Sequence, residues 1–111
     1  MLKAVDLHWA AGFLEGEGWF GGATSPLTIT ACQKQLEPLE RLKRIFGGAL
    51  YLKRGKHFDY ALNDWRVSGP RAAGLMMTLW PLMSPRRRGQ IEAALAGWKL
   101  RKIRRFWKRD S

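Results

Sequence analysis

The sequence predicts an α+β fold, in which helices pack on a four-stranded antiparallel sheet and a strongly basic helix follows at the C-terminal end. Three observations carry this. Residues 27–34, LTITACQK, alternate apolar with small polar side chains, the mark of a strand with one buried face. Segments with helical spacing alternate with pairs of strand-like segments, in the order helix, strand, strand, helix, strand, strand, helix, helix. Ten of the 20 Lys and Arg residues fall after position 85, where few acids interleave with them. At 111 residues the chain is read as one domain, 1–111.

The first helix is expected from Asp6 as N-cap, with Trp9 and Phe13 one turn apart and Gly16 and Gly18 marking its far end. Residues 19–24 read as a strand weakened by Gly21 and Gly22, Ser25-Pro26 as a turn, and 27–34 as the second strand. Glu37-Pro38 opens the second helix, with acids at its positive end and Leu39, Leu42, Ile45 and Phe46 on one face; Gly47-Gly48 stops it. Residues 49–53 and a segment within 58–68 form a hairpin whose alternation breaks at Asn63-Asp64, which leaves its register open. Gly69-Pro70 starts the third helix, with Leu75, Met76, Leu79 and Leu82 as its apolar side and its end near Pro81. Met76, Met77 and Met83 are expected as core filler. A fourth helix, about 86–109, carries Gln90, Ile91, Leu95 and Trp98 at helical spacing.

A net charge of +11 makes a polyanion the expected partner, and nucleic acid first among polyanions. Cys32 is the only cysteine and the two histidines are far apart, so neither an internal disulfide nor a Cys/His zinc set is available. No window reaches the roughly 18 uninterrupted apolar residues of a membrane span. The expectation is a cytoplasmic or organellar protein, not secreted, with no membrane and no organic cofactor.

The stretch WAAGFLEGEGWF, residues 9–20, does not read as an ordinary core helix. Gly12 and Gly16 are four apart and share a helix face, where the missing side chains let a second helix approach closely. In a chain with one such segment the natural second helix is its own copy. A twofold dimer would then bring Glu15 and Glu17 from both copies to the axis, at the negative ends of two helix dipoles. Carboxylates gathered there repel one another and attract a divalent cation such as Mg²⁺ (or Mn²⁺), which suits phosphodiester hydrolysis.

Residues 10–18, AAGFLEGEG, resemble the nine-letter LAGLIDADG motif. Alanine replaces the first leucine, and both acids are Glu where the motif has Asp. Residues 27–34 ending in Gln-Lys, the helix closing in Phe46-Gly47-Gly48, and LMSPRRR (82–88) followed by Gln90-Ile91 are similar to the later elements of LAGLIDADG homing endonucleases, in order. The resemblance covers roughly 5–98. It implies the αββαββα fold with a curved four-stranded sheet straddling double-stranded DNA. A single motif implies a homodimer, with Ala11, Gly12, Glu15 and Gly16 at its interface, that cuts both strands of a long, near-palindromic site in intron or intein homing.

Carried over by position, the metal-binding acid is Glu17, the residue that orders active-site water is Gln33, and the basic group near the scissile phosphate is Arg86, or Arg87 one position on. Base reading falls to the polar side of the sheet, Thr28, Thr30 and Cys32, with Tyr51, Lys53 and Arg66, and Lys34 is a further DNA contact. Arg54, Lys56, Arg86, Arg87, Arg88 and the last helix are cast as phosphate contacts. The same fold also admits a non-cleaving DNA-binding regulator or an RNA maturase, since fold does not fix function.

Overall fold

Strands β1 (Gly18–Gly21), β2 (Thr28–Gln33), β3 (Ala49–Tyr51) and β4 (Asn63–Ser68) form one antiparallel sheet in the order β1-β2-β4-β3. Helices α1 (Ala4–Glu17), α2 (Glu37–Phe46), α3 (Gly69–Leu79) and α4 (Pro85–Asp110) complete the chain, with a 3-10 turn at Trp80–Leu82 before α4. The computed structural model describes residues 2–52 and 62–110. Lys53, Arg54 and Lys56 lie outside the described residues.

The alternation in β2 sorts the sheet into two faces. Ile29 pairs with Phe20 on one side and Val67 on the other, and Ala31 lies opposite Trp65. All five are buried and face the helices, where they meet Leu14 of α1, Leu39 and Leu42 of α2, Met76 and Leu79 of α3, and Ile91 and Ala94 of α4. Burying side chains of this size contributes about 1.5–3 kcal/mol each, so this face holds the domain together. Trp65, the largest of them, also donates its indole N–H to the Gly47 carbonyl at 2.8 Å, which satisfies its one polar atom inside the core.

Several boundaries differ from those expected. α1 starts at Ala4, one half-turn before Asp6. Asp6 therefore lies in the first turn, near the positive helix end, 3.5 Å from the Arg41 guanidinium of α2, and does not serve as a cap. β1 ends at Gly21, shorter than the expected 19–24, because Gly22 at φ +153° turns the chain out of the sheet. The hairpin register is now fixed, with Leu50 opposite Trp65 and Tyr51 opposite Asp64. Alternation breaks at Asp64 because this carboxylate, although on the side away from the helices, is buried. Met76 and Met83 fill core space as expected, but Met77 is exposed, and so is Leu82.

α4 is anchored by close backbone contact. A methyl group placed on Gly97 would lie 2.5 Å from the Gly22 carbonyl oxygen and 2.6 Å from that of Ala23, so only glycine lets the helix rest on the loop after β1. One turn later the Arg101 guanidinium donates to the Ser25 carbonyl at 2.6 Å. Sequence spacing placed Ile91, Leu95 and Trp98 on the packed side, and these contacts explain why the helix keeps to the sheet beyond them.

Candidate active site and nucleic acid interface

The last turn of α1 meets the first turn of α4 through Glu15. Its carboxylate accepts the Ser84 backbone N–H at 2.6 Å and the Ser84 hydroxyl at 2.9 Å. Ser84 in turn caps α4, its Oγ accepting the Arg87 backbone N–H at 3.4 Å. The Arg87 guanidinium is buried; Nε donates to the Glu15 carbonyl at 2.9 Å and Nη1 to Gln90 Oε1 at 2.9 Å. The hydrogen bond from the Ser84 amide, foremost, holds the Glu15 carboxyl below the usual glutamate range; burial, next in size, opposes it, and the Ser84 hydroxyl and the nearby Arg87 and Arg86 charges add to the lowering. Burial, with the like charge of Arg86, lowers Arg87 from the usual arginine range, while Glu15 opposes this.

Glu15, expected at the dimer interface, is engaged within its own chain. One expectation is corrected. Arg87, expected to touch DNA, is turned inward beside the Phe20 ring and lies at helical spacing with Ile91, Ala94 and Trp98. Arg88 is also engaged, donating to the Trp80 carbonyl at 3.1 Å and the Pro81 carbonyl at 2.9 Å and stacking on the Trp80 ring. Of the three consecutive arginines, Arg86 is the exposed one, at the first turn of α4, where the free N–H groups of the helix also favour an anion.

Glu17 is the last residue of α1 and is exposed. The next residue, Gly18, pairs with Ala31 in β2, two positions before Gln33, so Glu17 and Gln33 lie toward the same end of the sheet. Gln33 is half-buried and pairs with Asn63, whose amide donates to the Lys34 carbonyl at 3.1 Å; Lys34 is exposed. Among the described residues, no three His, Cys, Asp or Glu side chains gather as a metal site within one chain. An exposed carboxylate such as that of Glu17 is a donor that fits Mg²⁺, which is held by one or two carboxylates and completes its shell with phosphate oxygens and water.

The face of α1 next to this acid is open. Val5, His8, Gly12 and Gly16 are exposed at three- and four-residue spacing, and a methyl group added at Gly12 or Gly16 would meet nothing within 4 Å. Ala11, expected at the same seam, is instead buried in the chain's own core.

The side of the sheet away from the helices presents rows of polar groups. One row runs Trp19, Thr30, Arg66 and Ala49 across the four strands; a second runs Cys32, Asp64 and Tyr51. Thr28, paired with Ser68, continues the surface. The expected base readers Thr28, Thr30, Cys32, Tyr51 and Arg66 therefore share one face, and Arg66 sits 5.3 Å from the Tyr51 ring. Sequence reasoning missed Asp64, which accepts the Cys32 thiol at 2.8 Å and Arg66 Nη2 at 3.4 Å and so ties neighbouring readers together. It also missed Trp19, half-exposed on β1, and Ser84, whose place before Pro85 is the ordinary signal of a helix cap.

No family model and no curated protein sequence matches the chain. Solved structures do. The homing endonuclease I-CvuI, in complex with its target in the presence of calcium, superposes with TM-score 0.64 at 19% identity over 79% of this chain and 62% of its own. The archaeal intron-encoded homing endonuclease I-Vdi141I, complexed with DNA, gives 0.63 at 18% identity over 80% of this chain and 64% of its own. The group I intron-encoded homing endonuclease I-CeuI, also complexed with DNA, gives 0.69 at 16% identity over 93% of this chain and 58% of its own. The chain thus spans about three fifths of the length of these structures. It has the homing endonuclease fold, the αββαββα arrangement that its LAGLIDADG-like stretch implies, followed by the basic helix α4.

Proposed function

We propose that the chain is a DNA endonuclease of the single-motif LAGLIDADG type, active as a homodimer that hydrolyses both strands of a long, near-palindromic duplex site with Mg²⁺ or Mn²⁺. The observation that carries this reading is the division of labour at the end of α1. Glu15 is tied into the domain, whereas Glu17, two residues on, is exposed beside a glycine-lined face that a second copy can approach. Two copies meeting along Val5, His8, Gly12 and Gly16 bring their Glu17 carboxylates toward a common axis.

Glu17 would hold the divalent ion, which when bound would supply Lewis-acid stabilisation of the phosphate and activation of water. Gln33 orients the attacking water through its amide. Arg86, exposed at the start of α4, stabilises charge developing on the phosphate; it keeps its proton and so does not act as the acid. The open face enters the major groove, with Thr28, Thr30, Cys32, Tyr51 and Arg66 toward base edges. Lys34, Arg88 and α4 contact the backbone. I-CvuI was crystallised on its DNA target with calcium, which supports the same use of a divalent ion here.

The test is incubation of the purified protein with Mg²⁺ and a DNA library containing the natural flanking sequence of its gene. Double-strand ends that appear with the native chain and vanish with Glu17→Gln support the reading. Sequence-specific binding without ends marks a regulator of the same fold, and ends that persist unchanged in Glu17→Gln remove Glu17 from this role.

A further inference from the structure

We infer that Trp19 is a specificity-determining residue, an indole laid flat on the open sheet face that selects thymine methyl groups in the major groove. The inference rests on the reading of that face as the DNA-reading surface.

Trp19 is 53% exposed, on the side of β1 that faces away from the core. Its cross-strand neighbour is Thr30, and Arg66 follows in the same row, so an apolar ring stands among hydrogen-bonding readers. The neighbours do not cover it. With Thr28, Thr30, Cys32 and Arg66 it lines a shallow concavity of about 510 Å³.

The ring's posture depends on Gly21. Residues two apart on a strand share a face, and here the second carries no side chain. A methyl group placed on Gly21 would overlap the far edge of the Trp19 ring, and Gly21 is buried although it lies on the open side, so the indole covers it. Lying along the sheet, the ring adds a flat apolar floor without a tall obstacle to a duplex. In the major groove the one apolar group that distinguishes a base pair is the thymine methyl, and apolar side chains read it by contact. Arg66 reads hydrogen-bonding groups and does not select that methyl, and the row's other apolar contacts, the Thr30 and Ala49 methyls, are small, so Trp19 supplies its one broad apolar surface.

The experiment selects bound duplexes from a random library with the native chain, Trp19→Ala and Gly21→Ala, then measures affinity for one selected site with thymine or deoxyuridine at the enriched position. The native chain enriches thymine at a defined place in each half-site and loses about fourfold in affinity on deoxyuridine, the worth of one methyl removed from contact. Trp19→Ala loses that enrichment, becomes indifferent to the methyl and keeps its salt dependence and its preferences elsewhere. Gly21→Ala keeps the ring but lifts it, and flattens the same position. Melting temperatures check that both variants fold, as expected for changes outside the core. An unchanged preference profile in Trp19→Ala, or equal weakening on all sequences with the methyl effect intact, overturns the inference and leaves the endonuclease reading standing. Absence of any sequence preference in the native chain overturns both.

Discussion

Glu15 and Glu17 are two residues apart on the same helix and meet opposite fates. Glu15 is locked by the Ser84 amide and hydroxyl and the Arg87 side chain, whereas Glu17 is exposed at the helix end. Two residues on a helix differ by about 200° in direction, so one acid can face α4 only if the other does not. The comparison teaches that the acidic end of this stretch divides into a joint that builds the domain and an exposed group, to which we assign the chemistry. Substituting each should therefore harm different properties.

The largest effect belongs to Glu17→Gln. Cleavage falls by about a thousandfold, equivalent to about 4 kcal/mol of lost transition-state stabilisation. DNA binding and melting temperature stay near native values, because no partner in the domain is lost. Gel assays of cleavage beside a thermal melt check both halves, and chelation of Mg²⁺ should reproduce the first without the second.

Next comes Gly12→Leu. A side chain there meets nothing within the chain, so the fold is kept, but it blocks close approach of a second α1. Self-association weakens by about a hundredfold, near 2.7 kcal/mol, and cleavage falls with it. Sedimentation at several concentrations reads the first and end-labelled DNA the second.

Glu15→Gln is smaller and opposite in kind, a loss of stability of about 1–2 kcal/mol from weakened charge-assisted hydrogen bonds, seen as a melting temperature lower by roughly 5–10 °C. Its pH dependence follows from the lowered pKa. The folded carboxyl sits below its unfolded value, so the stabilisation is fully present above the ordinary glutamate range and is lost as pH falls through the lower folded value. Melts of the two proteins should differ at neutral pH and converge only at a pH below the ordinary glutamate range. The smallest effect is that of Lys99→Ala with Arg104→Ala, two exposed cations of α4. The double variant should lower the slope of log affinity against log salt by about 1.8 if each meets one phosphate, with base preference unchanged.

Much of this was legible in the sequence, for identifiable reasons. Eight alternating residues fixed both faces of β2, and every other strand inherits its faces by pairing with that one directly or in turn. The hairpin of β3 and β4 was not legible, because β3 is only three residues long and the buried Asp64 breaks the alternation of β4. The three consecutive arginines look alike in sequence. Their separation into an inward Arg87, an Arg88 bound to carbonyls and an exposed Arg86 depends on where α4 begins, and its spacing to Ile91 was the available clue. Ala11 was placed at the seam beside Gly12 by the resemblance of the motif, yet adjacent residues on a helix point about 100° apart, and Ala11 faces the core.

The central claim is that the active unit is two copies joined along α1, sharing one acidic site. Native mass of the protein, alone and on a cleavable duplex, tests it most directly. The account predicts twice 12.7 kDa of protein on each duplex, and a shift to half that for Gly12→Leu. One copy of 12.7 kDa on a duplex that is nonetheless cut in both strands would contradict it.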